Sequence, residues 1–511
     1  MLKTFGNLHL WVLYGAVVLV ALLAGYLLAT PTDMSSLLPL GLLMLALVAP
    51  LLFRFHHEML IASWNASFIV FFLPGRPSLA MLLAAVSLFV AALHRAMLKQ
   101  PMFLPVKPVM LPLLLLGMIM LVTAIATGGI GGRALGTSSF GLSRYVAAFF
   151  GVAGFFALVT RAVPEERVWW VAALFVLGTI TAGLGDLAYL TGINAAFLLV
   201  DSSLVSTLAA AETGGTMTRY IGLCWAGWAM FSFLLMRYGL AGLFDLSRPW
   251  RAAGAMTALA ITLIGGFRSH IILTAMLFGT LFFLERLYRT RAVIILAVVV
   301  TLAGAALLSN ADRLPLNVQR AISFLPIEVD HVARQDAQGT LDWRLEMWEV
   351  VVKDIPKYFW LGKGFTYSGT DYMLTLEAMR RGLLHKSYEF ALISGNYHHG
   401  ILTLIIPFGI WGLLAFLWFV TASFRALLAN YRFGNPSLKL INRYLLAVFV
   451  VRLVFFLTLY GQFDLDLPMF AGIIGLSLSL NGGIRSAASQ PLPARAPQPA
   501  SGRLSAQPSF S

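Results

Sequence analysis

Long stretches of this sequence are apolar on every side of a helical turn. Runs such as residues 11–28 and 293–308 carry no charged residue and no polar face. A helix of a soluble domain has one apolar stripe, whereas a helix that is apolar all round is buried or spans a membrane. Fourteen apolar segments can be marked, near residues 9–29, 36–53, 59–74, 77–94, 109–127, 144–160, 168–190, 220–236, 252–267, 269–284, 292–308, 400–422, 440–460 and 467–481.

The composition indicates a membrane environment for these segments. Hydrophobic residues make up 59% of the 511 positions and charged residues 11%, against roughly 45–50% and about 25% in soluble domains. Some segments are shorter than the roughly 20 residues of a straight span, so we expect a few to merge or to be re-entrant. We therefore predict an all-α polytopic membrane protein with about 12–14 transmembrane helices.

The distribution of lysine and arginine predicts which helix ends face the cytoplasm. With both termini inside, the cytoplasmic connections and tails hold 20 basic and five acidic residues, whereas the outer connections hold 15 basic and 16 acidic residues. Arg452 and Asp186 remain within the membrane, where an ion pair between them is the structural alternative to a functional role of Arg452. The net charge of +14 is then a signature of topology, and no nucleic-acid partner is expected.

Two stretches differ from the short connections elsewhere. Residues 309–399 form an outer loop of about ninety residues, far longer than most loops, so we expect it to contain helices and functional residues. Residues 486–511 are rich in Ala, Pro and Ser, which predicts a disordered cytoplasmic tail. The predicted organisation is a transmembrane bundle over 1–308, the loop, further transmembrane helices over 400–485, and the tail.

The long loop contains two local patterns that bear on function. Residues 342–352 place apolar side chains on one helical face and Arg344 on another, which predicts an amphipathic helix lying as a lid on the membrane surface. Shortly afterwards, Gly362 and Gly364 suit a tight turn whose backbone N–H groups would be free to meet an anion.

Arginine and histidine stand at the predicted outer membrane boundary. Arg268 lies between two apolar segments, and an arginine next to hydrocarbon is costly enough to suggest a functional site, with a snorkelling anchor as the structural alternative. His398 and His399 end the loop just before an apolar helix, where an imidazole can accept a proton from a hydroxyl or simply cap the helix. Neighbouring histidines diverge and have no acidic partner at helical spacing, so no metal site is expected.

The order of these motifs resembles the O-antigen ligase family over roughly residues 255–425. The histidine that opens a helix is followed in that family by glycines at fixed spacing, which fits His398 better than His399. The matching features are Gly-Phe-Arg-Ser at 266–269, Arg344-x-x-x-Trp348, Pro356 followed by Gly362-x-Gly364, and His398 with Gly409 and Gly412 at 11 and 14 residues beyond it.

The resemblance implies a polytopic glycosyltransferase of the cell inner membrane with a periplasmic loop domain. Such an enzyme moves a glycan from a polyprenyl diphosphate carrier, such as undecaprenyl diphosphate, to an acceptor hydroxyl without a metal or other cofactor. The acceptor is the lipid A core of lipopolysaccharide or a growing glycan. By this resemblance His398 corresponds to the base, and Arg268 and Arg344, with Gly362 and Gly364, correspond to the diphosphate site.

Two positions depart from the family pattern. His399 stands where the family commonly has Asn, so His399 is kept as an alternative base. Pro407 replaces an expected acidic residue, which leaves Asp464 and Asp466 on the last outer connection as candidates to orient the histidine. Arg452 is a further candidate for support of the site.

A transporter or lipid-linked-sugar flippase is the alternative from another functional class. Transporters concentrate polar groups near the midplane of the bilayer, on broken helices related by repeats. Here the arginines and histidines lie mostly at the outer boundary and in the long loop, and Arg452 is the residue that favours transport.

Cysteine labelling tests the predicted topology, because Cys224 is the only native cysteine. In a Cys224→Ser background, Arg344→Cys should react with an impermeant maleimide from the periplasmic side, and Arg432→Cys only after the inner membrane is breached. Protection of position 344 in intact spheroplasts would invert the topology.

Overall fold

The computed structural model of this chain describes residues 53–71, 75–99, 101–129, 139–193, 220–383 and 388–486, with the single positions 18, 21, 22, 25, 39, 50, 73 and 200. Helices make up 76% of the structure and strands almost none, which confirms the predicted all-α class. The first predicted segments and the tail over residues 486–511 lie largely outside the described residues, so those predictions remain as they stand.

The helices follow one another closely along the described chain. The long loop contributes its own helices, as predicted, from α10 to α14. In chain order the helices are α1 (Leu79–Leu98), α2 (Lys107–Ala126), α3 (Leu142–Leu158), α4 (Val168–Leu177), α5 (Gly183–Thr191), α6 (Ile221–Leu243), α7 (Trp250–Ile264), α8 (Arg268–Leu284), α9 (Ala292–Asn310), α10 (Leu316–Ile322), α11 (His331–Lys353), α12 (Ile355–Tyr358), α13 (Gly369–Arg380), α14 (Glu389–Ser394), α15 (Leu402–Phe433), α16 (Lys439–Thr458) and α17 (Phe463–Asn481).

Helices that could span a membrane occur from the beginning to the end of the described chain. Within the described residues, seven helical stretches are long and apolar enough to cross a membrane, and α3, α7 and α8 are shorter apolar helices. This confirms a polytopic membrane protein, while the total of about 12–14 spans stays a prediction. The seven stretches are Leu79–Met97, Lys107–Ala126, Glu165–Thr191, Ile221–Leu243, Leu402–Phe433, Pro436–Thr458 and Phe463–Asn481.

The segment predicted over residues 59–74 is not a continuous helix. Helical structure covers residues 53–63 and then gives way to turns and short bridges. The Asn65 side-chain amide donates to the Phe175 carbonyl at 2.8 Å, and the Ser67 backbone N–H donates to the Thr181 hydroxyl at 2.8 Å. Polar contacts with the 3-10 helix Gly178–Ala182 therefore replace the helical ladder that the apolar pattern predicted.

One helix, α15, is broken near its start, and the break is filled by the loop. Gly409 has φ 62°, and Pro407 cannot donate to the helical ladder. The freed groups pair with residues 359–364: the Ile410 N–H donates to the Phe359 carbonyl at 2.7 Å, and the Lys363 N–H donates to the Ile406 carbonyl at 3.0 Å. This exchange of hydrogen bonds fixes the loop against the beginning of α15.

Two short strands join distant parts of the chain near the same break. Strand β1 (Ser139–Phe140) pairs antiparallel with β2 (Tyr367–Ser368). The loop beyond α12 is thus attached both to the chain before α3 and to α15.

Opposite ends of the bundle carry different polar contacts. At one end, Arg443 near the start of α16 pairs with Glu285 at 3.0 Å, and a buried amide pair joins Asn442 to Asn481. At the other end, Arg144 pairs with Asp464 at 2.7 Å. Buried polar pairs of this kind hold helices in register where apolar packing is not specific.

Candidate active site

Helix α11 supplies the first side chains of the site and packs on the beginning of α15. Asp330 caps it by accepting from the Val332 N–H at 2.8 Å. Its apolar face buries Met347 completely and Val351 almost completely, in a cluster with Leu402 and other residues of the α15 start. The amphipathic pattern is therefore borne out, although Val352 is half exposed, and the helix rests on protein at this face.

The turn that carries both histidines is held on either side. Before it, the buried Tyr397 carbonyl accepts from the Trp348 indole N–H at 2.8 Å. After it, the Gly400 N–H donates to the Phe456 carbonyl at 3.0 Å, at the end of α16. His398 itself has φ 51°, a conformation uncommon for residues other than glycine. Such strain persists only where surrounding contacts impose it, and it is common at functional sites.

The His398 ring lies between two aromatic rings. Its centroid is 5.1 Å from that of Trp343 and 4.7 Å from that of Tyr460, both in edge arrangements. The Nδ1 atom is buried and has no hydrogen-bond partner among the described residues. The ring is thus positioned by packing, and Nδ1 is not engaged by any carboxylate or carbonyl of that part of the chain.

The surroundings of His398 favour its neutral form. Burial, and secondarily the charge of Arg344, lower the pKa of His398 from 6.5 to about 3. An imidazole with a lowered pKa is uncharged at neutral pH and keeps a free electron pair, although the same shift lowers its proton affinity.

His399 faces a different neighbour. Its ring centroid lies 5.1 Å from that of Trp348, and burial lowers its pKa. Its carbonyl accepts from the Thr403 N–H at 3.0 Å, in the first turn of α15. The two imidazoles therefore do not share one site, and Arg344 acts electrostatically on His398.

Tyr460 is a member of the site that sequence patterns did not single out. The Arg344 guanidinium carbon lies 5.8 Å from the centroid of its ring, which also contacts His398. Burial raises the pKa of Tyr460, so its hydroxyl stays protonated. The signal in the sequence is the short break at residues 459–462, between two apolar segments.

Arg268 reaches the same helix from the start of α8. One of its terminal nitrogens donates to the Ala337 carbonyl of α11 at 2.5 Å, and it lines a cavity of about 510 Å³ with Arg334 and Asp342. Ala337 lies seven residues before Arg344, or about 10 Å along a helix that rises 1.5 Å per residue. Helix α11 is thus the common support of both candidate arginines, although the Arg268 cavity includes neither histidine.

Comparison with protein families matches residues 253–417 to the family described as O-antigen ligase. The predicted resemblance to the O-antigen ligase family is confirmed. The matched segment holds Arg268, Arg344 and both histidines, whereas Tyr460 lies beyond it. Comparison with curated proteins gave no significant match.

The glycine turn, which lies in the matched segment, is hydrogen-bonded to the beginning of α15. The Gly364 N–H donates to the Pro407 carbonyl at 2.9 Å, and a Cβ at Gly362 would overlap the Pro407 carbonyl. The expectation that the amides of this turn are free for an anion is therefore corrected at Gly364. Both glycines allow the close approach to α15 that shapes the site.

The carboxylates of α17 have partners other than the histidines. Asp464 pairs with Arg144, which also donates to the Ser394 carbonyl at 2.8 Å. Asp466 accepts from the Gln462 N–H at 2.8 Å. Among the described residues neither carboxylate is hydrogen-bonded to His398. These contacts hold the start of α17, and a role of either carboxylate in orienting the histidine stays a prediction.

The predicted ion pair between Arg452 and Asp186 is wrong. Asp186 accepts from the Leu223 N–H at 2.7 Å and so caps the start of α6. The Arg452 guanidinium lies instead over the Trp225 ring, 5.0 Å from its centroid.

Within the described ranges, no three His, Cys, Asp or Glu side chains are grouped so as to hold a metal ion.

The titration of His398 is a direct check on this geometry. Its imidazole should titrate near pH 3 in the intact protein, and Arg344→Gln should raise the midpoint while leaving it below 6.5, because burial is the larger cause. The measurement is NMR of histidine-labelled protein, assigned with His398→Gln. Arg334→Gln changes the same helix but lies at the Arg268 cavity, so it should leave the His398 midpoint unchanged. A wild-type midpoint near 6.5 would contradict the site.

Proposed function

We propose that this protein is a glycosyltransferase that moves a glycan from a polyprenyl diphosphate carrier to an acceptor hydroxyl on the periplasmic face of the inner membrane. The observation that carries the proposal is the approach of Arg344 and a buried, uncharged His398 within an O-antigen ligase segment. A cation and a neutral base side by side are what this transfer requires, because negative charge builds on one reactant while the other loses a proton.

The proposed reaction is a single displacement at the anomeric carbon of the donor sugar. His398 takes the proton of the acceptor hydroxyl as its oxygen bonds to that carbon. The bond from the same carbon to the diphosphate oxygen breaks, and its electron pair leaves with the carrier diphosphate. Products are the new glycosidic bond and polyprenyl diphosphate, and the proton on His398 passes afterwards to solvent.

Arginine suits the leaving group better than lysine. A guanidinium offers planar, two-point hydrogen bonding to phosphate and stays charged in a partly buried setting. Arg344 stands beside His398, and Arg268 binds the backbone of α11 two turns earlier. A donor that engages Arg268 therefore competes with the Ala337 carbonyl, which couples donor binding to the position of α11.

Orientation in the cell follows from the charge distribution along the chain. Arg344, His398 and Tyr460 lie at the same end of the bundle as Arg144 and Asp464, which the topology prediction assigns to the periplasm. Donor glycans carried on a polyprenyl diphosphate in the outer leaflet would reach this end directly. The acceptor, lipid A core or growing glycan, decides between a ligase and a polymerase of polysaccharide biosynthesis.

A flippase is the second candidate, and Arg452 is the observation that favours it. This arginine is buried in a membrane-spanning helix and lines a cavity. Purified protein in detergent separates the two functions, because glycan transfer needs no membrane compartments whereas translocation does.

The histidines should differ sharply in their contribution to transfer. His398→Ala should lower the rate by about 10²–10⁴, the usual cost of losing a general base. His399→Ala should cost less than tenfold, since a supporting contact contributes on the order of 1 kcal/mol. Both are measured with purified protein, a synthetic lipid-linked donor and the matching acceptor. The reverse ranking would assign the base to His399, and full activity in both single variants and the double variant would remove the acid-base role.

Lysine substitutions should separate geometry from charge. Arg268→Lys and Arg344→Lys keep the charge but lose the two-point contact, so both should lose most transfer activity at normal membrane levels. Arg334→Lys lines the same cavity as Arg268 and serves as the matched control, with nearly unchanged activity. Near wild-type transfer by Arg268→Lys would make Arg268 a simple anchor of α11.

A further inference from the structure

A cavity of about 260 Å³ lies inside the bundle, between α4, α6, α16 and α17. Its lining is mostly apolar and aromatic, and Arg452 is the charged residue in it. The cavity belongs to the membrane-spanning part of the chain, and its lining residues lie outside the segment matched to O-antigen ligase.

Arg452 is 7% exposed, so its charge is buried within the bundle. Its guanidinium carbon lies 5.0 Å from the ring centroid of Trp225 and 5.9 Å from that of Trp228. Among the described residues no carboxylate lies within ion-pair distance, and Asp466 acts on it only from longer range. Aromatic faces compensate part of the cost of burying a charge, but not as an anion would.

A second buried polar group stands beside the same tryptophan. His270 is 8% exposed, and its ring centroid lies 4.6 Å from that of Trp225. Neither of its ring nitrogens has a hydrogen-bond partner among the described residues. Buried polar atoms are nearly always satisfied in proteins, so the unpartnered nitrogens of His270 and the buried charge of Arg452, beside one ring, point to a ligand that accepts hydrogen bonds.

The chemistry of the lining indicates the class of that ligand. A guanidinium fork matches the oxygens of a phosphate, and an imidazole N–H donates to one. The cavity is smaller than the roughly 300–1,000 Å³ of sites for drug-sized molecules, so it fits a head group and not a whole lipid. We propose that Arg452, with Trp225 and Trp228, binds the phosphate group of a lipid within the bundle.

Two sources of lipid phosphate meet this description. One is the diphosphate of a polyprenyl carrier, an identification that rests on the proposed glycosyltransferase function. The other is an anionic phospholipid of the surrounding membrane. The Asp466 carboxylate acts electrostatically on both Arg452 and Tyr460, so the cavity and the candidate active site share one charged neighbour.

The test measures binding of two defined probes to the full-length protein in phosphatidylcholine nanodiscs. Farnesyl diphosphate, which carries no glycan, is titrated while tryptophan fluorescence and the ligand-induced rise in Tm are followed. Arg452→Gln should weaken binding about tenfold or more, and Arg452→Lys should weaken it less. Arg237→Gln also removes an arginine over a tryptophan, at 4.3 Å from Trp169, but outside the cavity, and should bind like wild type.

A cavity-filling variant keeps the test independent of the arginine. Ala229 lines the cavity and is buried, so Ala229→Leu should displace the ligand while Arg452 remains. Nanodiscs that contain phosphatidylglycerol distinguish the two sources. If phosphatidylglycerol weakens the binding of farnesyl diphosphate to wild type but not to Arg452→Gln, the ligand is a membrane phospholipid. If phosphatidylglycerol leaves the binding of farnesyl diphosphate to wild type unchanged, the ligand is the carrier.

Several results separate this proposal from the proposed function. His398→Ala should lose glycan transfer but bind farnesyl diphosphate like wild type, because His398 lies outside the cavity of Arg452. If His398→Ala keeps full transfer while Arg452→Gln loses binding, the catalytic proposal fails and the binding proposal stands. The proposal is overturned if wild type binds neither probe, or if Arg452→Gln and Ala229→Leu keep wild-type affinity for both.

Discussion

The candidate site depends above all on the packing of α11 against the turn that precedes α15. Burial of Met347 and the hydrogen bond from the Trp348 indole to the Tyr397 carbonyl hold this turn from one side, and the Gly400 amide holds it from the other. Only with both contacts can His398 keep its uncommon φ of 51° and lie between two aromatic rings. These contacts hold the described residues around His398 in one arrangement, as functional positions require.

Electrostatics follow from this packing. Arg344 follows Trp343 on α11, and its charge, after burial, is the second cause that keeps the His398 imidazole neutral. A negatively charged donor would offset the arginine and so raise the proton affinity of the same histidine. Donor binding and readiness to accept a proton are thus linked through a single pair of side chains, while Tyr460 completes the enclosure.

Local patterns in the sequence predicted much of this arrangement. The apolar face of α11 and the arginine on another face followed from helical spacing within one helix, whereas the choice of His398 came from the resemblance to the O-antigen ligase family. Tyr460 could not be found that way, because its contact with His398 joins residues 62 positions apart. The ion pair between Arg452 and Asp186 does not form because Asp186 caps α6 instead, and opposite charge in the sequence gives no sign of that backbone contact. The prediction of a continuous segment over residues 59–74 was wrong because hydrogen bonds to distant residues replace the helical ladder there.

A double-mutant cycle on kcat/KM for glycan transfer tests the central claim, that Arg344 and His398 act as one unit. Effects of residues that act together are strongly non-additive. The Arg344→Gln/His398→Ala double variant should therefore be about as slow as His398→Ala alone. If the two losses multiply in full, the arginine and the histidine work independently and the account is contradicted.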